Sequence, residues 1–123
     1  MNSPTQQRGN KAEQRALRHL KKHGLKLVEQ QYQCRFGEID LIMLDQSVYV
    51  FVEVRYRHNQ SHGTATETIT PAKQRKLIKT AQHFLSRHQL HDRVTCRFDC
   101  MGITRHDITW SRAAFDTSAV LFG

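Results

Sequence analysis

The sequence predicts an α/β protein: a mixed central β-sheet of about five strands flanked by helices, in the order αβββαββ. Two stretches with helical apolar spacing lie far apart, one near the N-terminus and one opening at Thr70-Pro71. Three strand-like runs stand between them and two more follow. The middle run, Val48-Tyr49-Val50-Phe51-Val52-Glu53-Val54, is β-branched or aromatic almost throughout, as expected of a central strand covered on both faces. Helices separated by strands in this way cover a sheet rather than pair with each other. A chain of 123 residues has room for a single domain over residues 1–123.

The first helix is predicted from about residue 5 to His23, with Ala12, Ala16, Leu17 and Leu20 on one face and Gly24 as its stop. Leu25, Leu27 and Val28 open a strand that runs towards Tyr32. Phe36-Gly37 turns the chain into Glu38-Ile39-Asp40-Leu41-Ile42-Met43, and Asp45-Gln46-Ser47 turns it again into the central strand. Residues 57–69 are polar and read as a mobile loop. Thr70-Pro71 then starts a helix, with a capping hydroxyl and a proline whose missing N–H is harmless there. That helix is expected to bury Leu77, Ile78, Ala81, Phe84 and Leu85, and to expose Lys76, Lys79, His83 and Arg87. Strands over Val94–Ile103 and around Ile108-Thr109-Trp110 complete the order.

Composition narrows the function. No apolar run approaches the ~20 residues of a membrane span, and the N-terminus lacks a signal-peptide stretch, so a cytoplasmic protein with no membrane partner is expected. Cys34, Cys96 and Cys100 are an odd set without a CxxC pair and read as buried free thiols. The pairs His19/His23 and His58/His62 have no neighbouring ligand pattern and read as non-metal histidines. Net charge is +8, unevenly spread. Residues 1–35 carry +6, residues 36–60 carry −2, and the remainder is again positive. A basic envelope around an acidic centre points to a polyanion, with a generally basic surface as the plain alternative.

The acidic centre is the hairpin Gly37-Glu38-Ile39-Asp40-Leu41-Ile42 with Phe51-Val52-Glu53-Val54-Arg55. If Asp45 pairs with Val48, Asp40 lies across from Glu53 and Glu38 across from Arg55. Cβ atoms so opposed are about 4.5–5.5 Å apart. Two carboxylates at that spacing among Ile39, Leu41, Val52 and Val54 require a proton or a cation between them. One reading is a salt-bridge ladder neutralised by Arg55. The other is a site in which Asp40, Glu53 and the Val54 carbonyl hold a hard divalent cation such as Mg²⁺, for which oxygen donors are suited. Glu13 borders the buried stripe of the first helix and would point towards the sheet; equally, Asn10-Lys11-Ala12-Glu13 has capping-box spacing.

A strand acid followed by Glu-x-Lys on a central strand, with an upstream helical Glu, is the PD-(D/E)XK nuclease pattern. More closely, the chain resembles the uncharacterised bacterial YraN family, which is similar to Holliday-junction-resolvase-like endonucleases. The resemblance rests on Gly9-x-x-x-Glu13, Gly37-Glu38-Ile39-Asp40-Leu41-Ile42, Phe51-Val52-Glu53-Val54-Arg55-Tyr56-Arg57, Lys73, Phe98-Asp99 and Ala113-Ala114-Phe115. It implies a restriction-endonuclease-like fold, with Glu13, Asp40 and Glu53 at the metal positions. Arg55 departs from the usual lysine; it cannot act as a base, but it can clamp a phosphate oxygen.

The expected function is therefore a Mg²⁺-dependent phosphodiester hydrolase acting on DNA or RNA. Arg55 would meet the scissile phosphate, while Lys73, Lys76, Lys79, Arg57 and Arg15 grip the backbone. Resolvase-like chemistry would favour a homodimer, since two symmetric cuts need two sites. A non-catalytic nucleic-acid-binding module and a protein-interaction domain on the same fold remain as alternatives.

Overall fold

The computed structural model describes residues 4–57 and 69–115. The polar loop expected over 57–69, with the His58/His62 pair, lies almost wholly outside the described residues. Among those described, two helices and five strands follow the order α1 (Pro4–Lys22), β1 (Lys26–Cys34), β2 (Gly37–Asp45), β3 (Val48–Tyr56), α2 (Pro71–Arg87), β4 (Thr95–Ile103) and β5 (Ile108–Ser111). The sheet runs β1-β2-β3-β4-β5 across its width, so β3 is central as its composition predicts. Neighbouring strands are antiparallel except β3 and β4, which are parallel and joined through α2. Parallel neighbours need such a long crossover, whereas the two-residue turn at Gln46-Ser47 suffices for β2 and β3.

Strand alternation divides the core in two. Val50 and Val52 of β3 join Leu41, Met43, Met101 and Ile103 beneath Ala12, Ala16 and Leu20 of α1. Phe51 points the other way and packs with Tyr32, Ile39, Ile42, Phe98 and Cys100 against Leu77, Ile78, Ala81, Phe84 and Leu85 of α2. Each fully buried aliphatic or aromatic side chain here contributes about 1.5–3 kcal/mol. The apolar residues buried on α2 are those expected, but His83 is not free: it is partly buried, with Nδ1 2.5 Å from the Tyr32 hydroxyl. All three cysteines are free thiols on the α2 side of the sheet. No helix among the described residues is long and apolar enough to cross a membrane.

Candidate functional site

The β2–β3 hairpin has the expected register, with Asp45 opposite Val48 and successive pairs as far as Leu41 opposite Val52. There the ladder stops, one residue short of Asp40 and Glu53. Asp40 has no partner on the β1 side either, although Gln30 pairs with Leu41 and Tyr32 with Ile39. Gln31, which falls between them, has φ 53°. Ile39 and Ile42 both pack under α2 although three residues apart, where a regular pleat would place them on opposite faces. The strand is therefore kinked at Asp40. Its carboxylate takes the place of a ladder carbonyl and accepts the Val54 N–H at 2.8 Å.

By alternation from Phe51, Glu53 and Arg55 project on the α2 face. Glu53 is 8% exposed and lies 3.3 Å from Arg55 Nε and 3.8 Å from Lys73 Nζ. Lys73 is delivered by the first turn of α2, whose cap is Thr70: its hydroxyl accepts the Lys73 N–H at 3.2 Å. Glu13 comes from α1 and is hydrogen-bonded by the side chain of Gln31. Asp40, Glu53, Arg55 and Lys73 of β2, β3 and α2 thus form one acidic centre with two cations on its rim, and Glu13 of α1 approaches it beside Asp40.

Its electrostatics follow from that packing. Burial, then the Asp40 charge, pushes Glu53 up to about 7, against the pull of Lys73 and Arg55. Burial also raises Asp40, opposed first by the Val54 N–H. Glu13 is raised by burial and by Asp40, which ties the helix acid to the strand acids. Glu38 adds negative charge to all three.

Two sequence-based expectations are corrected here. The Glu38–Arg55 cross-strand pair does not form, because the ladder has already ended: Arg55 turns to Glu53 on its own strand, and Glu38 accepts from Gln33 at 3.2 Å. Glu13 is no capping-box residue, because α1 begins at Pro4 and places it well inside the helix.

The basic residues divide by location. Lys73 reaches the acids; Lys76 and Lys79 continue along the exposed side of α2. Arg57 follows β3 and extends its pairing, its N–H donating to the Ile103 carbonyl at 2.9 Å. Arg15 lies elsewhere: its guanidinium donates to the Thr104 carbonyl at 2.6 Å and lines a cleft with Arg18, His19, Lys22 and Ile108. Gln31 is the site residue that the sequence did not indicate. A strand glutamine carries no signal of its own, and its role comes from the irregular backbone opposite Asp40.

A second buried charge cluster is structural. Asp99, with its side chain fully buried, accepts from Arg97 Nε at 3.0 Å, Trp110 Nε1 at 2.9 Å and the Ala113 N–H at 3.0 Å. Arg97 also bridges to Asp45 at 3.0 Å. This network fastens β5 and the following turn to the sheet and uses all of the Asp99 carboxylate.

Oxygen donors on Asp40 and Glu53 match the chemistry of a hard divalent cation. Among the described residues, however, no three His, Cys, Asp or Glu side chains form a ready-made metal cage. Mg²⁺ suits such a set, since it commonly binds through one or two carboxylates and completes its shell with water and substrate phosphate.

A family model described as "Uncharacterised protein family UPF0102" matches residues 12–103. A UPF0102 protein of Coxiella burnetii (strain RSA 331 / Henzerling II) is 49% identical over 117 residues, covering 94% of this chain and 98% of its own. One from Alkalilimnicola ehrlichii is 49% identical over 113 residues, covering 92% and 90%. Another, from Legionella pneumophila, is 46% identical over 114 residues, covering 91% and 97%. The matched span takes in Glu13, Asp40, Glu53, Arg55 and Lys73, and the chain belongs to the UPF0102 family, the YraN family that its motifs resemble.

Proposed function

We propose that this protein is a metal-dependent phosphodiesterase acting on nucleic acid, with its centre at Asp40 and Glu53. The observation that carries the proposal is Glu53, a carboxylate 8% exposed beside a second, partly buried acid, Asp40, and raised to about 7. Burial of acid against acid is costly unless a cation relieves it. Such arrangements cluster where chemistry is done. The PD-(D/E)XK resemblance agrees with an acid on β2, a second on the central strand β3 and a third from the first helix.

Asp40 and Glu53 would hold Mg²⁺ directly, and Glu13 would assist through water. When bound, the ion supplies an activated water and neutralises charge at phosphorus. Val54 N–H orients Asp40 by its hydrogen bond, and Gln31 holds Glu13 in the same way. Arg55 and Lys73, now turned to Glu53, are placed to exchange that carboxylate for a phosphate oxygen when substrate enters. Arg55 acts as a clamp for developing negative charge, since a guanidinium does not serve as a base.

Arg55 also supports a second reading, a binding module without turnover, because arginine stands where the nuclease pattern has lysine. The Arg55 series separates the two. In the working enzyme, Arg55→Lys retains or raises Mg²⁺-dependent cleavage of labelled DNA or RNA, whereas Arg55→Ala loses about tenfold or more. Absence of cleavage by wild type and both variants, with nucleic-acid binding intact, would leave the binding module.

A further inference from the structure

A cleft of ≈ 460 Å³ opens between the β1–β2 turn and α2, beyond the acidic centre, lined by Phe36, Lys79, Gln82, His83, Ser86 and His91. It is connected to that centre by the antiparallel course of β2 and α2. Asp40 feels the charge of Lys73 at the start of α2. Gly37, three residues back along β2, lies under Lys76 and Thr80 one to two turns along α2: a Cβ there would be 3.3 Å from Thr80 Oγ1 and 4.0 Å from Lys76 Cβ. Phe36, the next residue back, stands 6.3 Å from the His83 ring, centroid to centroid. Lys73, Lys76 and Lys79 therefore mark a cationic track from the acids to the cleft. The ten-residue step from Lys73 to His83 is about 15 Å of helix, a few nucleotides in length.

The lining suits a base better than a phosphate alone. Phe36 offers a ring, with the Arg35 guanidinium 4.8 Å from its centroid. Gln82 carries a donor and an acceptor on one amide. His83 Nδ1 is engaged by Tyr32, which leaves Nε2 as the remaining ring nitrogen. Among the described residues no acid lines the cleft, although His91 at its edge is paired with Asp92 at 3.0 Å. The volume falls in the range of about 300–1,000 Å³ usual for small-ligand sites.

We infer that this cleft receives an unpaired base of a nucleic-acid strand whose phosphates follow Lys73, Lys76 and Lys79 from the acidic centre. The inference rests on the nucleic-acid reading above and narrows its substrate to one with a single-stranded segment beside the reacting phosphate. Stacking on an aromatic side chain with cations along the backbone is the general chemistry of single-strand binding.

The test is fluorescence anisotropy at low salt without divalent metal, using a labelled single-stranded oligonucleotide of about ten residues and an abasic strand of equal length. Wild type should bind the base-bearing strand roughly 5- to 150-fold more tightly. Phe36→Leu, which keeps an apolar side chain in the turn, should remove most of that preference and leave abasic binding unchanged, whereas Phe36→Trp should retain it. Equal affinity for both strands, equal weakening of both by Phe36→Leu, or a preference that survives Phe36→Leu would each overturn the base pocket while leaving nucleic-acid binding in place. If wild type binds neither strand, the pocket and the nucleic-acid reading fall together.

Discussion

Glu53 costs the fold stability when it ionises. Its folded value of about 7 stands above the ordinary 4.5, so between those values the native state holds a proton that the unfolded chain has released. Stability attributable to this group is full below pH 4.5, declines as pH rises through that window, and levels off above 7. The span corresponds to a penalty on the order of 3 kcal/mol at about pH 8. Glu53→Gln should therefore raise the urea midpoint at about pH 8 and leave it nearly unchanged at about pH 4. Equal effects at both pH values would mean that the substitution acts by packing, not by removing a disfavoured charge. A site residue that costs stability in this way is what a functional carboxylate exchanges for activity. The acids themselves are legible in the sequence, because carboxylates within β-branched runs conflict with their surroundings. Their partners are less so. An unbroken ladder would take Arg55 across the hairpin to Glu38, and the end of the ladder at Leu41–Val52 leaves it beside Glu53 on its own strand instead.

Elements place the site through two junctions, the start of α2 and its contact with β2. The start of α2 is readable in full, since Thr70-Pro71 combines a capping hydroxyl with a tolerated proline, and Thr70 does cap Lys73. The contact with β2 is not, because it depends on one glycine. Gly37 has φ +148°, and a Cβ there would press on Thr80 Oγ1 at 3.3 Å. Gly37→Ala should cost more than about 1 kcal/mol in chemical denaturation, since the added methyl meets both strain and a close neighbour. A neutral outcome would show that α2 does not pack rigidly against the strand carrying Asp40. The kink in β2 is equally hidden. Alternation of side chains predicts a regular strand, and nothing in Gln30-Gln31 or Ile39-Asp40-Leu41 announces that both neighbouring ladders skip Asp40.

The chain carries a net charge of +8 with basic residues on both helices, and the arrangement of helices determines which of that charge can be used together. The five strands, the two helices and their packing on the sheet faces follow from patterns of period two and 3.6, whereas the spatial strand order and the parallel β3–β4 pair are long-range pairings that periodicity does not specify. Charge could be counted but not located: Arg15, grouped with the site in the sequence, anchors the β4–β5 loop through Thr104, while Lys73 reaches Glu53. Polyanion affinity should fall steeply with salt, and the double change Lys73→Ala, Lys76→Ala should reduce the slope of log affinity against log salt by about 1–2. An unchanged slope would place the phosphate contacts on α1 instead. The central claim is tested most directly by incubating wild type and Asp40→Asn with end-labelled single-stranded, duplex and branched DNA and RNA, with and without Mg²⁺. Mg²⁺-dependent cleavage of at least one substrate by wild type, lost in Asp40→Asn with binding retained, is the result expected; no cleavage by wild type, or cleavage that Asp40→Asn leaves untouched, would contradict it.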